Sequence, residues 1–222
     1  MRPAQTDDGS TYYEYVLLYV DDILCISLRP EDIIRNEIGK YFHMKEESIG
    51  KPNIYLGNKV SKVTLENDVH AWAYSSARYI KSAVQNVKDY LKLKKLSLPT
   101  KANSPMTSGY RPELDTSNEL NPSEAAYYQS LIGILRWIVE LGRPDICVKV
   151  SMLTSHMAFP RRGHLDQLYR IFAYLDKHHN SEIVFDPTPP EIPDNLFEKH
   201  DWLHTVHGNC HEEIPYDAPT RK

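Results

Sequence analysis

Apolar residues crowd the start of the chain and then space out. Two β-rich runs, Tyr15-Val16-Leu17-Leu18-Tyr19-Val20 and Ile23-Leu24-Cys25-Ile26, are separated only by Asp21-Asp22, which predicts a tight hairpin. Their near-continuous apolar character predicts strands buried on both faces. Pro30-Glu31-Asp32 opens a helix extending to Tyr41, with Pro and acidic residues in the first turn, where they suit the free amides and the dipole. Residues 54–65 and 69–74 predict a second hairpin around Glu66-Asn67-Asp68. Ser75 or Ser76 then caps a long helix to Leu96. Residues 99–122, rich in Pro, Ser, Thr and Asn, read as a linker. Further helices are predicted from Ser123 to Leu141, over 145–158 and over 163–178, with a short strand over 182–185. From Pro187 onward the repeated prolines predict an extended connector over 187–222. The pattern as a whole is α+β.

Composition narrows this picture. The 222 residues are 41% hydrophobic and 25% charged, ordinary values for a globular chain. A formal charge of −4 offers no global attraction to nucleic acid, so such binding needs a local patch. Three widely spaced cysteines, Cys25, Cys147 and Cys210, do not suggest a disulfide framework and fit a reducing compartment. The first ten residues hold no apolar run of the kind a secretion signal needs, and no stretch is long and apolar enough to span a bilayer.

The candidate chemistry starts at the hairpin turn. Side-by-side carboxylates repel and desolvate poorly unless a cation lies between them and other ligands, and Mg²⁺ is the hard cation such oxygens would take. Adjacent aspartates are also common in plain surface turns, so the pair alone does not decide. On the helix after Ser76, Lys81, Lys88, Lys92 and Lys95 share one face, with Arg78 at its margin, beside an apolar stripe of Ile80, Val84, Val87 and Leu91. That row fits phosphate tracking and equally fits a solvated amphipathic face. Tyr127, Tyr128 and Trp137 recur at helical spacing and read mainly as core, with base stacking the minor option. His204, His207, Cys210 and His211 have zinc-like spacing but lack a second Cys pair and lie among prolines, which argues against a metal there.

The residues flanking the aspartates carry a resemblance. Tyr19-Val20-Asp21-Asp22, with its apolar flanks, resembles the catalytic hairpin of reverse transcriptases. Phe42-His43-Met44-Lys45 and then Tyr55-Leu56-Gly57 resemble the segments that follow that hairpin in Copia-type elements, the second being the primer-grip position. Tyr128-Gln129-Ser130-Leu131-Ile132-Gly133, Arg143-Pro144-Asp145-Ile146, Gly163-His164-Leu165 and Ala173-Tyr174-Leu175 continue the pattern in the same order. The chain thus resembles the C-terminal part of the polymerase domain of a Copia-type LTR-retrotransposon reverse transcriptase, within a Gag-Pol polyprotein.

The resemblance implies a partial palm over 1–75, a helical thumb and connection region over 76–186, and over 187–222 a connector towards a ribonuclease H domain. It implies two-metal nucleotidyl transfer with Mg²⁺, Asp21 as metal ligand and Asp22 as supporting carboxylate. Tyr19 would lie near the primer end, and Tyr55, Leu56 and Gly57 would grip the primer backbone. Arg78, Lys81, Lys88, Lys92 and Lys95 would track an RNA or DNA template–primer. The implied partners are that duplex, a dNTP and an N-terminal polymerase half, with no membrane. The implied setting is intracellular, in a virus-like particle or the nucleus. The family's polymerase core starts well upstream of the hairpin and contributes another metal-binding aspartate. The implication is therefore a polymerase fragment, shortened at both ends and inactive alone. The alternatives are a template–primer binding module without catalysis and a non-functional relic.

Overall fold

The computed structural model describes residues 1–66 and 68–188, so the predicted connector from residue 189 and the four-residue zinc-like set lie outside the described residues. The fold is α+β. β1 (Arg2–Gln5), β2 (Thr11–Tyr19) and β3 (Asp22–Ile26) form an antiparallel sheet in the order β1-β2-β3. β4 (Ile54–Tyr55), β5 (Asn58–Thr64), β6 (His70–Ser75) and β7 (Glu182–Phe185) form a second antiparallel sheet in chain order. Between the sheets run α1 (Pro30–Asp32) and a π-helical stretch, Ile33–Ile38, directly continuing it. The helical body consists of α2 (Ala77–Leu93), α3 (Pro122–Glu140), α4 (Cys147–Thr154) and α5 (Arg162–Lys177).

The first hairpin forms as its pattern predicts, shifted by one residue. Tyr19 pairs with Asp22, so the turn is Val20-Asp21 and Asp22 already belongs to β3. The expectation of strands buried on both faces is corrected. Leu17 is 44% and Leu18 68% exposed, on opposite faces of β2, because among the described residues no second layer covers the sheet. Glu14, 2% exposed, is the buried residue of β2. It accepts from Arg2 Nε at 2.7 Å, Ser27 Oγ at 2.8 Å and Tyr12 Oη at 3.0 Å, while Arg2 forks onto Glu37. This network holds the helical segment after Arg29 against the sheet. The hydropathy pattern gave no hint of β1, whose four residues, Arg2-Pro3-Ala4-Gln5, hold no large apolar side chain.

Elsewhere the boundaries move for local reasons. The helix from Pro30 stops at Ile38, not Tyr41, and the Gly39 amide closes it onto the Ile34 carbonyl at 3.0 Å. Residues 54–65 are not one strand. Leu56 and Gly57 both have positive φ, 50° and 77°, the signature of a two-residue type I′ turn joining β4 to β5. α2 ends three residues before Leu96 in a Schellman cap: Leu96 donates to the Leu91 carbonyl at 2.9 Å and Lys95 to that of Lys92 at 3.0 Å. Lys95 takes the left-handed position, φ 57°, that usually falls to Gly. Ser76 stands at the N-cap of α2, but its hydroxyl makes no capping bond. α3 is capped by Asn121, not started by Ser123: Asn121 accepts from the Glu124 amide at 3.0 Å in a capping box.

The main core lies where α2, α3, α4 and α5 meet. Ile80, Val84, Val87 and Leu91 pack with Leu131, Leu135, Ile138, Leu153, Leu168 and Phe172. The segment between α2 and α3 is anchored despite its turn-forming composition. The Thr107 amide donates to Gln167 Oε1 at 2.9 Å, and the Leu120 and Arg162 amides bond across to Pro160 and Asn118. β7 returns after α5 to pair with β6, so the chain beyond the helices completes a sheet begun before them.

Candidate active site

The β2–β3 ladder sets the acidic turn. Direct partners in a ladder point to the same face, so Tyr19 and Asp22 lie side by side while Asp21 sits at the tip. Val20 has φ 54°, a left-handed conformation that a β-branched residue rarely adopts, and its side chain is 85% exposed. Asp21 and Asp22 are both exposed, and among the described residues neither carboxylate is hydrogen-bonded or ion-paired. Among the described residues no group of three or more His, Cys, Asp or Glu is placed to hold a metal ion.

Two other elements converge on this turn. Tyr19 tilts against Trp137 of α3, with ring centroids 5.8 Å apart. The Leu56-Gly57 turn approaches from the second sheet. Burial pushes the Tyr55 hydroxyl pKa up, and the nearby Asp22 carboxylate pushes it further. Burial likewise raises Tyr74, outweighing a hydrogen bond with Asn58 that lowers it, with smaller upward contributions from Tyr55 and Asp22. The second turn is braced from below. Buried Asn58 donates to the Leu141 carbonyl at the end of α3 (2.8 Å), and the Tyr74 hydroxyl donates to the Tyr55 carbonyl at 3.2 Å. The acidic turn and the Tyr55-Leu56-Gly57 turn, more than thirty residues apart in sequence, therefore share one neighbourhood.

The basic row on α2 is partly occupied. Arg78, Lys81 and Lys92 are exposed, as is Lys95 beyond the helix end. Lys88 is half-buried and tied to Asp176 of α5, 2.8 Å from Nζ to Oδ2. Tyr128 is fully buried, with its hydroxyl on the Leu153 carbonyl at 2.7 Å, and Tyr127 stacks on Tyr90 at 3.8 Å between centroids.

Several motif residues have structural work that the sequence did not disclose. Arg143, 1% exposed, forks onto Asp145 at 2.8 and 2.7 Å and donates a third bond to the His178 carbonyl at 2.8 Å. Gly163 leaves room for the Asp115 carboxylate, which a Cβ would strike. His164 is buried; the Arg161 amide donates to its Nδ1 at 3.1 Å, and its Nε2 lies 3.0 Å from the Pro112 carbonyl, so the Nε2–H tautomer satisfies both. Asn58 and Tyr74 were missed as braces of the site. The alternation along β6 buries Ala71, Ala73 and Ser75 and puts Tyr74 on the opposite face with Trp72, so no local pattern marks either brace.

No family model matches the chain, and no solved structure matches it. A transposon Ty5-1 protein of Saccharomyces cerevisiae is 30% identical over 173 residues, 77% of this chain and 50% of that protein. These residues support a retrotransposon origin. The Ty1-DR5 and Ty1-LR2 Gag-Pol polyproteins of the same yeast are each 23% identical over 190 residues, 81% of this chain and 10% of each polyprotein. The origin they indicate is a Ty-type LTR retrotransposon. The chain thus spans half the length of the Ty5-1 relative and a small part of the polyproteins. Among the described residues no helix is long and apolar enough to cross a membrane.

Proposed function

We propose that this retrotransposon-derived chain carries the acidic-turn end of the palm, the thumb and the connection of a Copia-type reverse transcriptase. The observation that supports this most is that one helix touches both turns, Trp137 of α3 against Tyr19 and the Leu141 carbonyl at its end accepting from Asn58. A Mg²⁺ ion takes one or two protein carboxylates together with waters and substrate phosphates, and exposed, unpaired Asp21 and Asp22 fit that share for one ion. Such an ion supplies Lewis-acid stabilisation of phosphate charge and a more acidic 3′-hydroxyl.

On this reading Asp21 is the metal ligand at the tip, and Asp22 shapes the field beside it. Tyr19 packs near the primer end, and Tyr55, Leu56 and Gly57 grip the primer backbone, with Gly57 admitting close approach. Arg78, Lys81, Lys92 and Lys95 track template–primer phosphates; Lys88 contributes less while Asp176 holds it. A dNTP is the second substrate, and a virus-like particle or the nucleus the setting. A two-metal centre needs a further acidic ligand, which the described residues do not place at the turn. The chain therefore works as part of a larger polymerase. In a form complemented with the remaining polymerase segment, Asp21→Asn is expected to abolish primer extension, and retained extension would sink the assignment.

The same shortage of acidic ligands favours a second reading, template–primer binding without catalysis. Binding would then fall steeply with salt, at about 0.7–0.9 of a log unit in affinity per log unit of salt for each phosphate contact. Lys81→Glu with Lys92→Glu should flatten that slope by roughly one to two units. Absence of binding at low salt would remove both readings.

A further inference from the structure

The acidic turn is held in an unfavourable backbone conformation by very little of its own. Val20 adopts φ 54° with an 85% exposed side chain, so its burial does not offset the strain. Strained residues persist only where neighbours fix them. The ladder fixes the turn from one side, through the Tyr19–Asp22 pair. From the other side the described ring contact is Tyr19 on Trp137, with centroids 5.8 Å apart and planes 38° apart. Trp137 lies on α3, whose neighbouring residues Leu135 and Ile138 are fully buried in the core. α3 is also closed by its C-cap Leu141, whose carbonyl holds Asn58 behind the second turn. One helix therefore meets both turns, one through an indole and the other through a carbonyl.

We propose that Trp137 is a positioning residue, a rigid seat on α3 that holds Tyr19 and so fixes the Asp21-Asp22 turn relative to the Tyr55-Leu56-Gly57 turn. Its spacing with Leu131, Ile134 and Ile138 suggests core packing, but the side chain is only half-buried and faces the hairpin apex. The consequence for catalysis rests on the proposed polymerase reading; the seat itself does not.

The test is hydrogen–deuterium exchange on the full chain, comparing the parent with Trp137→Leu, Trp137→Phe and Tyr19→Leu. Losing an aromatic pair should accelerate exchange across residues 18–22 by about five- to tenfold in Trp137→Leu. Tyr19→Leu, at an exposed position that tolerates change, should accelerate the same amides. Trp137→Phe should stay within about twofold of the parent, because a ring still fills the seat. Amides of α5 should be unchanged in all three. Unaltered exchange at residues 18–22 in both Leu variants would overturn the proposal. So would uniform acceleration across turn and core in Trp137→Leu together with unaltered exchange in Tyr19→Leu, since Trp137 would then be core packing alone. Accelerated turn exchange in a chain that takes up no primer–template duplex at low salt would retain the seat and remove the polymerase reading. Salt-sensitive duplex uptake with unaltered turn exchange would do the reverse.

Discussion

Removing the carboxylate of Asp145 should cost far more stability than removing the guanidinium it holds. Arg143 is 1% exposed and its side chain has three hydrogen bonds, two to Asp145 and one to the His178 carbonyl. Asp145 is 37% exposed and also accepts from the Tyr174 hydroxyl at 3.1 Å. Burial pushes the Asp145 carboxyl up, but the hydrogen bonds and charge of Arg143 outweigh it and hold the group below its ordinary range. In Asp145→Ala the buried cation keeps the His178 carbonyl as its one hydrogen-bond acceptor and the Tyr174 ring 6.0 Å away, and stranding one member of a buried pair costs about 3–5 kcal/mol. In Arg143→Met the remaining carboxylate can turn to water, and the thioether fills much of the vacated space, so the loss should be about 1–2 kcal/mol. The expected asymmetry is therefore about 2 kcal/mol. For a chain of this size, Asp145→Ala should lower Tm by roughly 6–20 °C. Urea titration of parent, both single variants and the double variant gives the energies and their coupling. The double variant should be less destabilised than Asp145→Ala. Equal losses in the two single variants, or a larger one in Arg143→Met, would refute the argument that burial of the cation governs the cost.

Three further outcomes follow from other sites. The hydrogen bonds from Arg2, Ser27 and Tyr12 hold the Glu14 pKa down to about 2, against an ordinary value of 4.5, so its contribution to stability is complete above pH 4.5 and disappears as pH falls towards 2. Glu14→Gln should flatten that part of the stability–pH curve, and an unchanged slope in acid titrations would count against the network. Gly163→Ala pushes a methyl into the Asp115 carboxylate, which accepts from the Ser117 amide at 2.8 Å, so a loss of about 1–3 kcal/mol is expected in urea titrations; neutrality would mean the loop yields freely. Lys95→Gly relieves a left-handed lysine in the α2 cap and should raise stability by up to about 1 kcal/mol while weakening any salt-dependent duplex binding, two effects read separately by melting and by titration.

Local pattern was enough for much of the fold. The apolar runs about Asp21-Asp22 encode a hairpin because a ladder and a two-residue turn need only neighbours in sequence. The amphipathic stripe of α2 encodes its buried face for the same reason. Burial was another matter. A run such as Val16-Leu17-Leu18 is equally apolar with or without a layer over it, and in the described structure it stays exposed.

The sequence by itself determined most of the strands and helices, β1 excepted, and which carboxylates, aromatics and lysines are available, since those depend on spacing along the chain. Only the tertiary structure decided which of them meet. Tyr19 on Trp137, Asn58 beneath the Leu141 carbonyl and Lys88 withdrawn to Asp176 are contacts between distant segments. They are chosen by how the sheets and helices pack together, and no window of neighbouring residues contains that information.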